Sequence, residues 1–102
     1  MPNLTISVPH QLSRAEARRR IQEQAALLER QYGDVVEDVD RRWEGDTLHF
    51  RLSVVDQPVS GQASVEDRAA TVEVALPWTL SLLAGEVRRE IEWQGRQLLG
   101  DR

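Results

Sequence analysis

The last quarter of the chain constrains the fold most. Ala70, Val72, Val74 and Leu76 alternate with small or polar neighbours, the period-two pattern of a strand with one buried face. Pro77-Trp78 follows, and apolar residues then recur at three- and four-residue steps: Leu80, Leu83, Ala84, Val87, Ile91 and Leu98. On a helix those positions form one stripe. Such a stripe must lie on an apolar surface, and the strands just before it offer one. The spacing predicts a long amphipathic helix, beginning near Trp78, laid across one face of an antiparallel sheet. It predicts no activity.

The rest of the chain supplies the sheet. Leu4, Ile6 and Val8 alternate with Thr5 and Ser7, and Pro9 ends the strand because it has no N–H to give. Ser13 and Glu16 stand at the spacing of a capping box, with Leu12 and Ala17 placed as a weak hydrophobic staple. The helix they start carries Ala17, Ile21, Ala25, Leu28 and Tyr32 on one stripe, with Gly33 as its expected C-terminal cap. Val35 to Glu44 reads as an edge or half-exposed strand, because Arg41 interrupts the face shared by Val39 and Trp43. Glu44-Gly45-Asp46 signals a turn, and Leu48, Phe50, Leu52 and Val54 form its returning strand. A turn at Asp56-Gln57-Pro58 leads to Val59, Gly61, Ala63 and Val65, where small residues predict a helix backbone close above. Glu66-Asp67-Arg68 turns the chain into its final strand. The expected architecture is α+β, in the order β-α-β-β-β-β-α: an antiparallel meander with two helices packed on one face, a single domain over 1–102.

Composition narrows the chemistry. At 102 residues, with 40% apolar and 29% charged residues, the chain can bury one core without disulfides or metal. It has no cysteine, and all 13 basic residues are arginine. A cysteine nucleophile, a Schiff-base lysine and a phosphate-loop lysine are therefore excluded. The two imidazoles, His10 and His49, fall on different elements. The net charge of −4 argues against nucleic acid as a partner. No apolar run approaches the roughly 18 residues of a membrane span, and the opening residues lack a signal peptide, so a cytoplasmic protein without integral membrane association is expected.

Several motifs carry a resemblance. They are the opening strand with His10-x-Leu12-Ser13, Tyr32-Gly33 after the first helix, Trp43-Glu-Gly-Asp-Thr-Leu48-x-Phe50 at the hairpin, and Leu80-x-Leu82-Leu83-Ala84-Gly85-x-Val87-x-Arg89-Glu90-Ile91. Over Leu4 to Leu99 the chain resembles the small bacterial polyhydroxyalkanoic acid system proteins, named for an association with polyester-granule metabolism. The resemblance implies a cytoplasmic protein connected with polyhydroxyalkanoate granules, without a defined reaction. It brings no catalytic residues. The chain departs from the pattern in its exclusive use of arginine and in Trp78 and Trp93.

Two surfaces stand out as candidate sites. Projected at 100° per residue, Trp78, Leu82 and Trp93 fall opposite the core stripe of the last helix, a partner-binding patch if exposed. The bland alternative roofs Trp78 and Leu82 with another element and lays Trp93 under Arg89 as a cation–π pair. Arg14, Arg18 and Arg19, with Arg20, make the start of the first helix basic, which the helix dipole disfavours and an anionic partner would suit. Glu16 pairing with Arg20 at i+4 gives the simpler account, a solvated face. Glu37, Asp38, Asp40, Glu44 and Asp46 lack the spacing of a cation loop and read as acidic surface. His10 has a turn or capping role and His49 faces solvent; neither has an acid–base partner. Gly95 lies near the core stripe and allows close helix–sheet contact, while Gly85 has no account.

No catalytic residue, metal or cofactor is expected. The leading reading is a non-enzymatic interaction module for a granule surface or granule protein, with a homodimer as another use of the patch. The second is a small apolar-ligand carrier, which needs a helix-grip-like cavity of a few hundred Å³ between sheet and helix. A void-free core would exclude it.

Overall fold

The alternating segments form one sheet. In the computed structural model, which describes residues 3–100, β1 (Asn3–Pro9) is followed by α1 (Arg14–Gln31). Then come β2 (Val36–Glu44), β3 (Thr47–Val54), β4 (Gln57–Val65) and β5 (Ala69–Ala75). A 3₁₀ segment over Trp78–Leu83 leads into α2 (Ala84–Leu99). The strand order is β1-β5-β4-β3-β2, all antiparallel. Strands β2 to β5 are the expected meander, and β1 adds to its far edge. Because β1 and β2 lie at opposite edges, α1 must cross the whole sheet to connect them.

The register aligns one apolar face. Leu4, Ile6 and Val8 stand opposite Val74, Val72 and Ala70, and Gly61 and Ala63 of β4 pair with Val74 and Val72 on one side and with Phe50 and Leu48 on the other. Both helices cover this face. Helix α2 lies on β1, where Arg88 Nη1 donates to the Thr5 carbonyl at 3.0 Å, and α1 packs against α2 and β4. Gly95 makes the α2 contact possible: a Cβ there would come within 2.8 Å of a Val8 methyl.

Several local expectations change. The last helix is not continuous from Trp78. Ser81 Oγ donates to the Trp78 carbonyl at 2.7 Å and Leu80 N–H to the Pro77 carbonyl at 2.9 Å, an i→i+3 arrangement that delays the α-helix until Ala84. Leu83 is consequently exposed, while Leu80, Ala84, Val87, Ile91 and Leu98 pack on the core as the stripe requires. Ser13 Oγ accepts the Glu16 N–H at 3.1 Å, but the Glu16 carboxylate turns to Arg19 and Arg20 instead of reaching back. Gly33 is not a left-handed cap. Helix α1 ends at Tyr32, whose carbonyl receives the N–H groups of Val35 and Val36. Tyr32 itself is exposed rather than on the core stripe.

The β3–β4 turn is centred on Val55 and Asp56, both at positive φ, so Gln57 and Pro58 already belong to β4. The neighbour that requires Gly61 is no helix: a Cβ there would overlap the Glu73 carbonyl of β5 and crowd the Phe50 ring. Strand β2 is an edge strand, as read. Its register shifts between Glu37 and Asp40, so Asp38 (φ 57°) and Val39 both oppose Leu52 as a β-bulge.

Candidate functional site

The inner face is not evenly covered. Helix α1 is seated at its start, where Ala17 is fully buried and Arg20 Nη1 donates to the Leu98 carbonyl of α2 at 2.9 Å. Further along, a row of polar contacts ties it to edge strand β2. The Arg18 guanidinium lies 4.7 Å over the Trp43 ring, Trp43 Nε1 donates to Gln22 Oε1 at 2.7 Å, and Arg41 Nε donates to Glu29. These side chains act as struts between helix and sheet. The stripe behind them is built partly of alanine, and Ala25 is too short to close the gap they set.

The result is an apolar chamber of about 440 Å³ between the sheet and both helices, partly open to solvent, with the exposed Tyr32 and Val39 also in its lining. Its floor includes Val8, Leu48, Phe50, Leu52, Ala63 and Val72; its roof includes Ile21, Ala25 and Leu28 from α1 and Ile91, Gly95 and Leu98 from α2. Glu29 and Arg41 stand at one side, Glu90 and Gln94 at another. The volume lies within the range of small-molecule sites, about 300–1,000 Å³. Beyond the Glu29–Arg41 pair lies a smaller recess of about 290 Å³, lined also by Gln22, Val39 and Trp43. Sequence periodicity cannot find such a chamber, because every apolar residue lining it sits where a filled core would also want it. The one signal was Arg41, a charge on an inward-facing position.

The opposite sheet face is polar, with an open concavity of about 540 Å³ lined by Thr5, Asp40, Arg42, His49, Arg51, Gln62 and Glu73 among others. Its charges largely pair: His49 Nε2 lies 3.1 Å from Glu44, and Arg51 3.7 Å from Asp40. Among the described residues no group of three or more His, Asp or Glu side chains is placed to hold a metal. His10 is a structural joint. Its Nδ1 accepts the Leu12 N–H at 3.0 Å and its Nε2–H donates to the Glu66 carbonyl at 2.8 Å, pinning the β1–α1 connection to the β4–β5 turn.

A family model described as "Putative polyhydroxyalkanoic acid system protein" matches residues 4–99. The chain belongs to that family. The description attaches it to a polyhydroxyalkanoic acid system and names no reaction. Neither a curated protein nor a solved structure matches the chain.

In this family member the two surfaces read from sequence have different surroundings. Trp78, Leu82 and Trp93 are 76%, 95% and 57% exposed, and the cation–π contact found is Arg18 over Trp43 rather than Arg89 over Trp93. Their shared place opposite the core stripe was projected on an unbroken α-helix; the 3₁₀ segment changes the angle per residue over Trp78–Leu83, and their exposure stands by itself. The arginines each meet carboxylates. Arg14 binds Asp46 at 2.9 Å and Asp67 at 2.7 Å, Arg18 lies 3.8 Å from Asp46, and Arg19 joins Glu16 and Glu23. The guanidiniums of Arg14 and Arg19 are satisfied in this way, whereas the buried Arg18 Nε has no hydrogen-bond partner among the described residues. No helix among the described residues is long and apolar enough to cross a membrane.

Proposed function

We propose that this polyhydroxyalkanoic acid system protein is a non-enzymatic, cytoplasmic carrier, a single domain that holds one aliphatic chain between its sheet and its helices. The observation that carries this reading is the 440 Å³ apolar chamber. The walls of this chamber are almost wholly apolar and offer water few hydrogen-bond partners, so an aliphatic ligand seated against them gains dispersion contacts and removes apolar surface from water. The test is binding of the neutral probe N-phenyl-1-naphthylamine, followed by its fluorescence. Saturable one-to-one binding is expected, lost in Ala25→Phe, which fills the chamber from α1, and retained in Trp93→Ala. Absence of binding, or equal binding by Ala25→Phe, would overturn the reading.

A second reading is favoured by the exposure of Trp78, Leu82 and Trp93. Large apolar side chains in water suit docking on an apolar body, and a polyester granule is one. Co-sedimentation with isolated granules should then fall severalfold in Trp93→Ala. Equal recovery of both proteins overturns this second reading, and a concentration-dependent dimer lost in the same variant assigns the tryptophans to a second copy instead.

A further inference from the structure

We propose that the chamber takes an aliphatic carboxylic acid, and that Arg41 receives its carboxylate. This inference rests on the chamber being a ligand site and adds the chemical class of the head group. Arg41 is the one charged residue on the inner face of β2 and β3; its neighbours there are Val36, Val39 and Trp43, with Phe50 opposite. A guanidinium stays charged at any pH a cell reaches, so an inward-facing one requires an anion. In the structure that anion is Glu29 of α1, itself partly covered.

The position of the pair is what points to a ligand. Glu29 and Arg41, together with Val39, line both the apolar chamber and the 290 Å³ recess beside it, so the pair stands where an apolar space meets a polar one. That sequence of environments matches an amphipathic molecule: chain in the chamber, head group at the guanidinium, water side in the recess beside Gln22 and Trp43. Glu29 engages Arg41 at Nε, and a guanidinium carries five N–H donors in a fork suited to carboxylates. A bound carboxylate shares or takes over the place of Glu29. Glu29 is therefore a competitor, and removing its charge should help the ligand.

The experiment displaces N-phenyl-1-naphthylamine at pH 7 with decanoic acid, ionised at that pH, and with 1-decanol, which has the same chain and no charge. The acid is expected to compete at roughly tenfold lower concentration, the advantage of a charge-assisted hydrogen bond over a neutral one. Arg41→Gln should bring the acid to the alcohol's level, with unchanged alcohol affinity showing that the fold survives. Glu29→Gln should strengthen the acid severalfold and leave the alcohol alone, an opposite sign that a merely structural ion pair would not give. Equal competition by acid and alcohol in the unaltered protein overturns the head-group assignment while leaving the chamber as a ligand site. An acid advantage that persists in Arg41→Gln overturns it too, as does a Glu29→Gln variant that weakens the acid. If Arg41→Gln aggregates without altering acid binding, Arg41 is a guard on an exposed strand edge and the assignment fails. If the probe does not bind at all, chamber and head group fall together.

Discussion

The two ends of the sheet are built from the same alternating pattern and differ in what that pattern achieves. At the β1–β5 end, Leu4, Ile6, Val8, Ala70, Val74 and Leu76 are all at most 6% exposed. At the β3–β2 end Leu48 is buried, but Val36, Phe50, Leu52 and Val54 are only partly covered and Val39 is exposed. The difference comes from the helices above. Helix α2 brings a glycine to the contact and descends onto Val8; α1 is propped on Trp43 and Arg41 by its own polar side chains. Alternation in a strand therefore states which face is inward. Whether that face is dry depends on how near the covering helix can come.

The sharpest way to break the comparison is to remove equivalent apolar volume from each end. Ile6→Ala opens a cavity in a packed region, and the expected loss is about 2–5 kcal/mol. Leu52→Ala borders a space that already exists, so much less contact is lost and about 1 kcal/mol or less is expected. Urea unfolding of the two variants checks this. Equal losses would mean that the β2–β3 end is as well packed as the other.

Much of this contrast lies outside what a sequence can say. Element order, the meander, the capping hydroxyl of Ser13 and the close approach at Gly95 were all legible, because each depends on residues near one another or on a simple period. The break at Ser81 was not: a hydroxyl bonding back to the Trp78 carbonyl is one local competitor against a strong helical period. The constraint on Gly61 is not local either, since it comes from Glu73 and Phe50 on neighbouring strands. The chamber was legible only as a requirement of one hypothesis. Its existence depends on a helix height set by Arg18, Gln22 and Glu29 against Trp43 and Arg41, pairs 12 to 25 residues apart in the chain.

A second pair of variants tests helix height directly. Gly95→Ala drives a methyl into Val8, and overpacking of this kind costs about 1–3 kcal/mol. Ala25→Leu adds more volume at the α1 side of the chamber, where there is room, and should be neutral or stabilising by about 0.5–1 kcal/mol. The smaller insertion doing the greater harm is the expected outcome of thermal unfolding. If Ala25→Leu destabilises as much as Gly95→Ala, the chamber has no spare room.

The two turns flanking β3 sharpen the comparison further. The β2–β3 turn places Gly45 at φ 62°, where glycine has no steric penalty, while the β3–β4 turn holds Val55 at φ 49°. A β-branched residue in the left-handed region is strained by about 1–2 kcal/mol. The Val55 side chain is 69% exposed, so little packing offsets that strain. Val55→Asn should raise stability by about 1 kcal/mol in urea unfolding. No gain would place the strain elsewhere.

The smallest expected effect concerns the seated end of α1. Hydrogen bonds from Arg19, and then from Arg20, hold the Glu16 carboxyl down at about 2, against its ordinary value of 4.5. The folded state thus binds this proton less readily than the unfolded chain does. The contribution of Glu16 to stability is complete above about pH 4.5 and fades as the pH falls toward about 2. The pairs are largely solvated, so the effect is small and weakened by salt. Urea midpoints of the unaltered protein and of Glu16→Gln should differ most at neutral pH and converge as the pH falls to about 2 and below. A gap that stays constant with pH would mean that Glu16 serves α1 through its shape rather than its charge. The seat of the helix would then rest on Ala17 and on the Arg20–Leu98 hydrogen bond alone.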